Sequence, residues 1–500
     1  MASTLLKGLS AVLFCLLAVP VPAAQSFSVD TSAIDSFVTD RMESSGVPGV
    51  SLVIVDDGGV SYQKAYGHAG GGQGALDSRV PMCIGSLTKS FTALAVMQLV
   101  DREKIRLHEP VGRYIASFQS NSGTFEPVTV LHLLTHTSGF STLQGNRVIQ
   151  TSRLDLAKAE FLEALVEEIA RIEPVRQAGG VADYSNANYL VLAQLVQQVS
   201  GMSYARYIRE NIFGPLGMNR SFVRGEGGDH PVPAASFRFW FGYPVEYDAQ
   251  IDEGPVGPTG VYSSAGDMGR YLLAMMNRDS RLLSAETFEL LFDTVREHRS
   301  GPGEMGWRYS EPNGNAAFWH TGECPGATNV MAIFPEERTA LAVMANARSG
   351  GFHFSRVGAL VQGPLQMIVG SEPANDGPGT KGWAVLLFLV ILIVALAVWA
   401  IRLVRSYATG SMNALKYPFD VRELLWRVGA PIGLLLLLCY GLLVVLPNLN
   451  DTTLWGVFLF APDVAWLLTI GGGLAAGVAI LRTVLLARVT LSVNKRGLND

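Results

Sequence analysis

The sequence is short of charge. Only 16% of its 500 residues are Asp, Glu, Lys or Arg, against about 25% in a typical soluble protein. The deficit is local, because residues 381–500 hold ten basic and five acidic residues whereas residues 1–380 hold 28 basic and 38 acidic ones. The acidic part lacks the basic surface that nucleic-acid binding requires, so no nucleic-acid partner is expected. The apolar, basic tail indicates a membrane segment instead.

Cysteine is also scarce. The four cysteines stand at positions 15, 83, 324 and 439, and neither a CxxC pair nor a Cys/His cluster occurs. No metal site is therefore expected. Only Cys83 and Cys324 lie outside the apolar ends of the chain.

The N-terminus has the pattern of a secretory signal. Lys7 precedes a short apolar run, Leu9–Val19, and small residues for cleavage follow at Ala23 and Ala24. The run is too short to span a bilayer comfortably. Residues 1–24 are therefore predicted to be a signal peptide, with an uncleaved anchor as the alternative.

Three uncharged apolar runs near the C-terminus each have about the 20 residues that a transmembrane helix needs. They are Trp383–Ile401, Val428–Leu446 and Val464–Leu481. Each could instead be a buried core helix, but three in succession with this flanking charge favour a membrane domain that contacts the lipid bilayer. Residues 371–382 read as the linker to it.

Basic residues predict the orientation of these spans. Five lie between the first two runs and four follow the third, whereas Pro447–Asp463 has none: Arg402, Arg405, Lys416, Arg422, Arg427, Arg482, Arg488, Lys495 and Arg496. The positive-inside rule places the basic segments in the cytoplasm. We therefore expect a multi-pass inner-membrane protein with a cytoplasmic C-terminus and with residues 27–370 outside, in the periplasm.

Residues 27–370 show the periodicities of a mixed α/β domain. A helix at 31–44 and a hairpin built from Val50–Val55 and Val60–Tyr66 open it, and paired strands at 329–334 and 338–344 close it. Helical patterns fill the middle, after Gly85 and at 154–171, 187–200, 265–276 and 284–296. This order predicts an α+β fold whose antiparallel sheet is formed from both ends of the domain.

One Ser-x-x-Lys sequence begins a predicted helix. Lys89 lies one turn after Ser86, on the same face. The helix dipole favours an oxyanion at the serine, and apolar surroundings would lower the pKa of the lysine toward that of a usable base. The two residues form a candidate nucleophile pair, although a helix-capping serine beside a solvated lysine gives the same pattern.

Two further motifs could complete a site. Tyr184-Ser185-Asn186 precedes an apolar helix, and His320-Thr321-Gly322 precedes a predicted strand pair. A glycine on a strand lets a substrate approach the backbone closely, so the amide of Glu323 could bind an oxyanion. The plainer alternatives are an asparagine helix cap beside a packed tyrosine, and a turn with a surface histidine.

The three motifs, in this order and at these spacings, resemble the serine β-lactamase and penicillin-binding-protein superfamily, most closely its class C β-lactamase and DD-peptidase branch. The likeness covers residues 30–365 and includes the blocks Val47–Ser51, Leu133–Gly139 and Gly260–Met268. It implies an antiparallel sheet with a helical subdomain. It also implies acyl transfer in two steps through an acyl-enzyme, with no cofactor.

The resemblance implies a role for each motif residue. Ser86 would be the acylated nucleophile, and Lys89 and Tyr184 would share the general-base role. Asn186 would hold the substrate amide. The amides of Ser86 and Glu323 would form the oxyanion hole, beside the strand that carries His320, Thr321 and Gly322.

Two features qualify this assignment. His320 stands where most β-lactamases have lysine, and its weaker charge near neutral pH reduces the support for a penicillinase. Cys83 and Cys324 would flank the cleft, and because disulfide geometry is strict, two buried thiols are expected rather than a disulfide.

We expect a membrane-anchored serine hydrolase that acts on a small peptide, amide, ester or β-lactam. Its plan of signal peptide, hydrolase domain and three spans resembles a subgroup that includes prodrug-activating peptidases, which remove an acyl-D-asparagine cap. A DD-peptidase or β-lactamase that acts on the cell wall or on antibiotics is the second candidate. The third is a non-hydrolytic penicillin-binding sensor, against which the short cytoplasmic segments argue.

Overall fold

The computed structural model describes residues 30–119, 127–151, 161–225, 229–248, 256–298, 305–348, 354–374, 380–412, 415 and 420–496. The predicted signal peptide and residues 375–379 of the predicted linker lie outside them. The described residues form an α+β domain followed by a region of long apolar helices.

The strands described in the α+β domain are β1 (Gly49–Asp56), β2 (Gly59–Gly67), β3 (Met82–Cys83), β4 (Phe222–Val223), β5 (Ser236–Trp240), β6 (Tyr243–Tyr247), β7 (Val261–Ser263), β8 (Arg308–Ser310), β9 (Ala317–Cys324), β10 (Ala327–Phe334), β11 (Thr339–Ala345) and β12 (Ala347–Arg348). The helices described there are α1 (Thr31–Ser45), α2 (Thr88–Asp101), α3 (Val130–Leu134), α4 (Thr142–Thr151), α5 (Phe161–Ala170), α6 (Asn186–Ser200), α7 (Tyr204–Ile208), α8 (Gly214–Leu216), α9 (Ala265–Met276), α10 (Ala285–Glu297) and α11 (Phe354–Ile368). A π-helical turn, Arg209–Phe213, joins α7 to α8, and 3₁₀ turns occur at Gly85–Leu87, Val111–Arg113, Ala116–Phe118 and Pro312–Gly314.

The main sheet confirms the predicted architecture. Its strand order is β2-β1-β11-β10-β9-β8, and every neighbouring pair is antiparallel. Two strands come from the beginning of the domain and four from its end. The predicted hairpin and closing strand pair are β1–β2 and β10–β11, each within about two residues of its predicted bounds, which is the usual error for element ends.

Alternating side chains on the strands build two cores. In β1, Leu52 and Ile54 pack with α1 and α11 on one face, whereas Val53 and Val55 join the larger core on the other. Helix α9 covers that second face. The sheet is thus the middle layer between a helix pair and the helical subdomain.

Helix α2 is the centre of the helical subdomain. Every residue from Thr88 to Leu99 is buried, and α6, α7 and α10 pack around it. A helix that is apolar on all sides belongs inside a core rather than at its surface. The first turn of α2, which carries Lys89, is therefore shielded from solvent.

Three helices in the C-terminal region are long and apolar enough to cross a membrane: Trp383–Ala408, Val421–Asn448 and Pro462–Ser492. We call them the first, second and third apolar helices. Each contains one of the predicted runs and extends beyond it. The third packs against the other two, and their outer faces expose large apolar side chains such as Leu387, Leu437 and Ile480.

The segment between the second and third apolar helices packs against the α+β domain. Residues 449–453, which we call the inter-helix loop, lead into a short helix, Leu454–Phe460. Gln150 of α4 contacts this loop through Thr452 and Thr453. Arg238 of β5 donates to the carbonyl oxygen of Phe458 at 3.0 Å. The apolar region therefore contacts the same side of the domain that carries the site described below.

Candidate active site

The Ser86 turn and strand β9 lie unusually close together. A Cβ atom at Gly85, which has a φ of +56°, would stand 2.4 Å from the amide nitrogen of Glu323, and one at Gly322 would stand 2.0 Å from the carbonyl oxygen of Ile84. Only glycine is compatible with this approach. Asn329 of β10 holds the two segments together by donating to the carbonyl oxygens of Cys83 and Gly322.

The same approach corrects the prediction for the cysteines. Cys83 and Cys324 are joined by a disulfide, not left as separate thiols. Their Cα atoms are 6.3 Å apart, inside the range that a disulfide can bridge. The expectation was wrong because the two glycines allow closer packing of turn against strand than ordinary side chains permit.

Lys89 is completely buried, and its Nζ has three polar neighbours. Its Nζ lies 3.1 Å from Ser86 Oγ, 2.8 Å from Asn186 Oδ1 and 3.0 Å from the carbonyl oxygen of Pro258. Burial holds the pKa of Lys89 well below its ordinary value, because the ammonium form loses its hydration. A neutral amine in this position can accept a proton from the serine hydroxyl.

The ring of Tyr184 lies over the amine of Lys89. Lys89 Nζ is 4.8 Å from the centre of the Tyr184 ring. Burial raises the pKa of Tyr184 to about 12, while a hydrogen bond with Ser86 and the positive charge of Arg308 oppose the rise. The phenol therefore keeps its proton at neutral pH and can donate it.

His136 helps to hold the loop that carries Tyr184 and Asn186. Its Nδ1 accepts hydrogen bonds from the Ser185 amide at 3.1 Å and the Asn188 side chain at 2.9 Å, and its ring packs 4.6 Å from that of Tyr184. Burial lowers the pKa of His136 well below its ordinary value. The predicted pair Tyr184 and Asn186 is thereby brought to Ser86 and Lys89.

His320 lies beside the site but not on its wall. It is buried on β9, its ring is 6.2 Å from that of Tyr184, and its Nδ1 lies 2.6 Å from the Thr321 carbonyl oxygen. Burial, reinforced by the charges of Lys89 and Arg308, lowers the pKa of His320 to about 3. The histidine is therefore neutral near pH 7, where an unperturbed histidine would be partly protonated.

A cavity of about 1090 Å³ opens above Ser86. Its described lining includes Ser86, Tyr184, Asn186 and Glu323 but not His320, Thr321 or Gly322. The cavity also extends between the apolar helices, where it is lined by Val385, Leu389, Leu446, Val464 and Leu468. It thus has a polar end at the nucleophile and an apolar arm.

Sequence reasoning missed several contributors. Arg308, Asn146 and the carbonyl oxygen of Pro258 are part of the site. No distinctive motif marks Pro258 or Asn146, and a backbone carbonyl has no sequence signature. The inter-helix loop carried a signal, because the absence of Lys and Arg from Pro447–Asp463 predicts that this segment lies on the same side as the domain.

Comparisons with known proteins identify the family and the fold. A family model described as Beta-lactamase matches residues 34–361. "Protein flp" of Staphylococcus aureus (strain MW2) is 24% identical over 325 residues, which are 63% of each chain. "Putative penicillin-binding protein PbpX" of Bacillus subtilis (strain 168) is 27% identical over 53% of this chain and 64% of its own. The chain thus spans less than two thirds of the length of these curated relatives.

Solved structures share the fold. An octameric penicillin-binding protein homologue from Pyrococcus abyssi is 28% identical, with a TM-score of 0.59 over 70% of this chain and 79% of its own. A D-amino acid amidase from Ochrobactrum anthropi SV3 is 22% identical, with a TM-score of 0.56 over 68% of this chain and 98% of its own. With well over half of its length matched, the chain belongs to the beta-lactamase family, and it has the fold of the β-lactamase and penicillin-binding-protein superfamily.

Proposed function

We propose that this member of the beta-lactamase family is a serine hydrolase that is anchored in the membrane, faces away from the cytoplasm, and cleaves an amide, peptide or ester bond through an acyl-enzyme on Ser86. The observation that carries the proposal is the contact between Ser86 Oγ and a buried Lys89. A buried amine whose pKa is lowered by desolvation can act as a general base. The serine is thereby activated as a nucleophile.

The chemistry follows from the protonation states. Ser86 Oγ attacks the substrate carbonyl carbon while its proton passes to Lys89 Nζ. Tyr184, protonated at neutral pH, lies where it can pass a proton to the departing amine or alcohol as the scissile bond breaks. Water then attacks the acyl carbon and gives a proton to the Tyr184 phenolate. The bond between the acyl carbon and Ser86 Oγ breaks as Lys89 returns its proton to that oxygen, and the carboxylic acid is released.

The developing oxyanion has a place to bind. The close approach of the Ser86 turn to Glu323, which the two glycines permit, supports an oxyanion hole formed by the backbone amides of Ser86 and Glu323. Such a pair of fixed N–H donors stabilises a tetrahedral intermediate without reorganisation. Asn186 lines the cavity next to them and can hold the substrate amide.

The position of the inter-helix loop supports the proposed topology. This loop and the α+β domain contact each other, so both lie on the same side of the bundle. The loop lacks Lys and Arg, whereas the segments at the other ends of the helices are basic. The positive-inside rule places the domain outside the cytoplasm, in agreement with the predicted signal peptide.

The cavity supports a substrate class. Its apolar arm suits a substrate that carries a hydrocarbon or other apolar tail at a distance from the scissile bond. The D-amino acid amidase named above shares the fold, so we propose an amide of a D-configured residue with such a tail, the type of bond that a prodrug-activating peptidase cleaves. A neutral His320 gives no positive charge for the carboxylate of a penicillin, which disfavours a β-lactamase.

Covalent labelling of the full-length chain in detergent with a fluorophosphonate probe tests this function. We expect labelling of the wild type and none of Ser86→Ala. The matched control is Ser61→Ala, because Ser61 and Lys64 form a second Ser-x-x-Lys on strand β2, where Lys64 pairs with Asp35 instead; it should label like the wild type. Absence of labelling in a folded wild type would reject the proposal, and a stable adduct without turnover of any ester or D-peptide would favour a sensor.

A further inference from the structure

A chain of hydrogen bonds joins the inter-helix loop to the nucleophile. Asn146 Nδ2 donates to the carbonyl oxygen of Asp451 at 2.8 Å, and Asn186 Nδ2 donates to Asn146 Oδ1 at 2.9 Å. Asn186 Oδ1 in turn lies 2.8 Å from Lys89 Nζ, which contacts Ser86. The chain starts on a backbone carbonyl of the membrane-proximal loop and ends at the catalytic serine.

The backbone carbonyl fixes the direction of every bond in this chain. A carbonyl oxygen can only accept, so Asn146 must present its NH₂ group to Asp451 and its oxygen to Asn186. Asn186 must then present its own NH₂ group to Asn146 and its oxygen to Lys89. Rotation of either amide would bring two donors face to face.

The last step of the chain decides where Lys89 directs its lone pair. A neutral amine has two N–H groups and one lone pair. Asn186 Oδ1 and the carbonyl oxygen of Pro258 are both acceptors, and they take the two N–H groups. The lone pair is left for the third neighbour, the Ser86 hydroxyl.

Close packing holds the chain in place. A Cβ atom at Gly145 of α4 would stand 2.8 Å from the Asn186 amide nitrogen, and one at Gly456 would stand 2.1 Å from Thr452 Oγ1. Gly145 lets α4 pack closely against the segment that carries Asn186, and Gly456 leaves room for the contact between the inter-helix loop and Gln150 of α4. Asn146 thus bridges two segments that pack tightly against its own helix.

We propose that the carbonyl of Asp451 sets the orientation of the Asn146 and Asn186 amides and so aims the lone pair of Lys89 at Ser86, with Asn146 as a positioning residue. The inference rests on the proposed function of Ser86 and Lys89. It makes the membrane region part of the active site as well as its anchor. A domain without the inter-helix loop would keep the nucleophile but lose the group that orients its base.

Two near-isosteric substitutions of Asn146 test the inference in the full-length chain. The readout is the second-order rate constant of fluorophosphonate labelling against pH, in which the serine oxygen displaces fluoride from phosphorus and its proton passes to Lys89. Asn146→Leu leaves Asn186 without its acceptor, so the plateau should fall about tenfold. Asn186 is then free to turn its oxygen away from Lys89. The Lys89 ammonium loses this acceptor, so the pKa of Lys89 falls and the acid limb of the profile moves to lower pH.

Asn146→Asp should move the acid limb of the profile in the opposite direction from Asn146→Leu. A carboxylate can only accept, so it keeps the Asn186 orientation, and its negative charge stabilises the Lys89 ammonium and moves the acid limb to higher pH. Among the described residues, the other titratable or charged groups around Lys89 are Tyr184, Tyr189, His136, His320 and Arg308, and neither variant changes them. A purely structural role would lower the plateau and leave both limbs in place, which would overturn the inference.

A second pair addresses the loop itself. Asp451 is exposed and has a φ of +52°, which glycine adopts freely and a β-branched residue resists. Asp451→Val should therefore displace the carbonyl and reproduce the Asn146→Leu profile, whereas Asp451→Gly, which removes the same carboxylate, should resemble the wild type. Equal profiles for the two would reject the loop's role, and a wild type that does not label would reject the proposed function itself.

Discussion

The two ends of the cavity differ in chemistry and in origin. The end at Ser86 is polar, comes from the α+β domain and holds Lys89 between two acceptors and the Ser86 hydroxyl. The arm between the apolar helices presents aliphatic side chains, among them Leu389 and Leu468. The polar end is suited to cleaving the scissile bond, and the apolar arm is suited to selecting substrates by the group attached to that bond.

This difference has a consequence for substitutions. Changes at the polar end should reduce the rate for every substrate by the same factor, because all substrates share the carbonyl group. Changes in the apolar arm should alter the ranking of substrates, because only the longer ones reach it. The predictions below separate the two effects.

Removal of the base should give the largest effect. Lys89→Met keeps the length of the side chain in a buried site but removes the proton acceptor, so kcat/KM should fall about 10²- to 10⁴-fold. The measurement is hydrolysis of p-nitrophenyl acetate and p-nitrophenyl dodecanoate by the full-length chain. Both esters should lose activity by the same factor; a loss confined to one of them would contradict the assignment of Lys89 to the chemistry.

The pH dependence of the wild type follows from the same group. Lys89 must be neutral to act as a base, and burial lowers its pKa, so activity should be present above that pKa and be lost as the pH falls through it. Tyr184 sets the alkaline side, since its pKa is raised to about 12 and the phenol stays protonated through the neutral range. An acid limb near the ordinary lysine pKa of about 10.4 would show that burial does not act on Lys89.

The polar end was largely predictable from sequence. Ser86, Lys89, Tyr184 and Asn186 belong to short motifs whose resemblance to the β-lactamase and penicillin-binding-protein superfamily implies a shared site, and the structure brings the four side chains together. The sheet was also predictable, because alternating patterns at both ends of the domain require strands that pair. A local pattern predicts a site when the residue types and their spacing along the chain are enough to identify the chemistry.

The rest depends on packing between distant segments. The disulfide requires that Gly85 and Gly322 bring turn and strand together, and no pattern around either glycine states which segment it will approach. The neutral state of His320 comes from burial and from Arg308, which lies on a different strand. The contribution of the inter-helix loop depends on a backbone carbonyl, which every residue possesses.

Loss of the disulfide should lower stability without changing substrate choice. The bond links residues 241 positions apart beside the nucleophile, and removal of a native disulfide typically costs about 2–5 kcal/mol. Cys83→Ala, Cys324→Ala and the double variant should lower the melting temperature of the full-length chain by similar amounts, since each breaks the same bond. Additive losses would show that the two side chains stabilise the protein separately. The ratio of kcat/KM for the two esters should stay at its wild-type value.

Filling the apolar arm should give the smallest effect and the most selective one. Leu389 is buried and lines the arm, whereas Leu387, two residues earlier on the same helix, is 61% exposed on its outer face. Leu389→Phe removes room for two or three methylene groups, each worth about 0.8 kcal/mol when buried, so kcat/KM for the dodecanoate should fall by about tenfold or more relative to that for the acetate. Leu387→Phe adds the same bulk facing away from the arm and should leave this ratio unchanged. A ratio that is the same in both variants would mean that substrate tails do not enter the arm, and that the apolar helices act on the reaction only through the inter-helix loop.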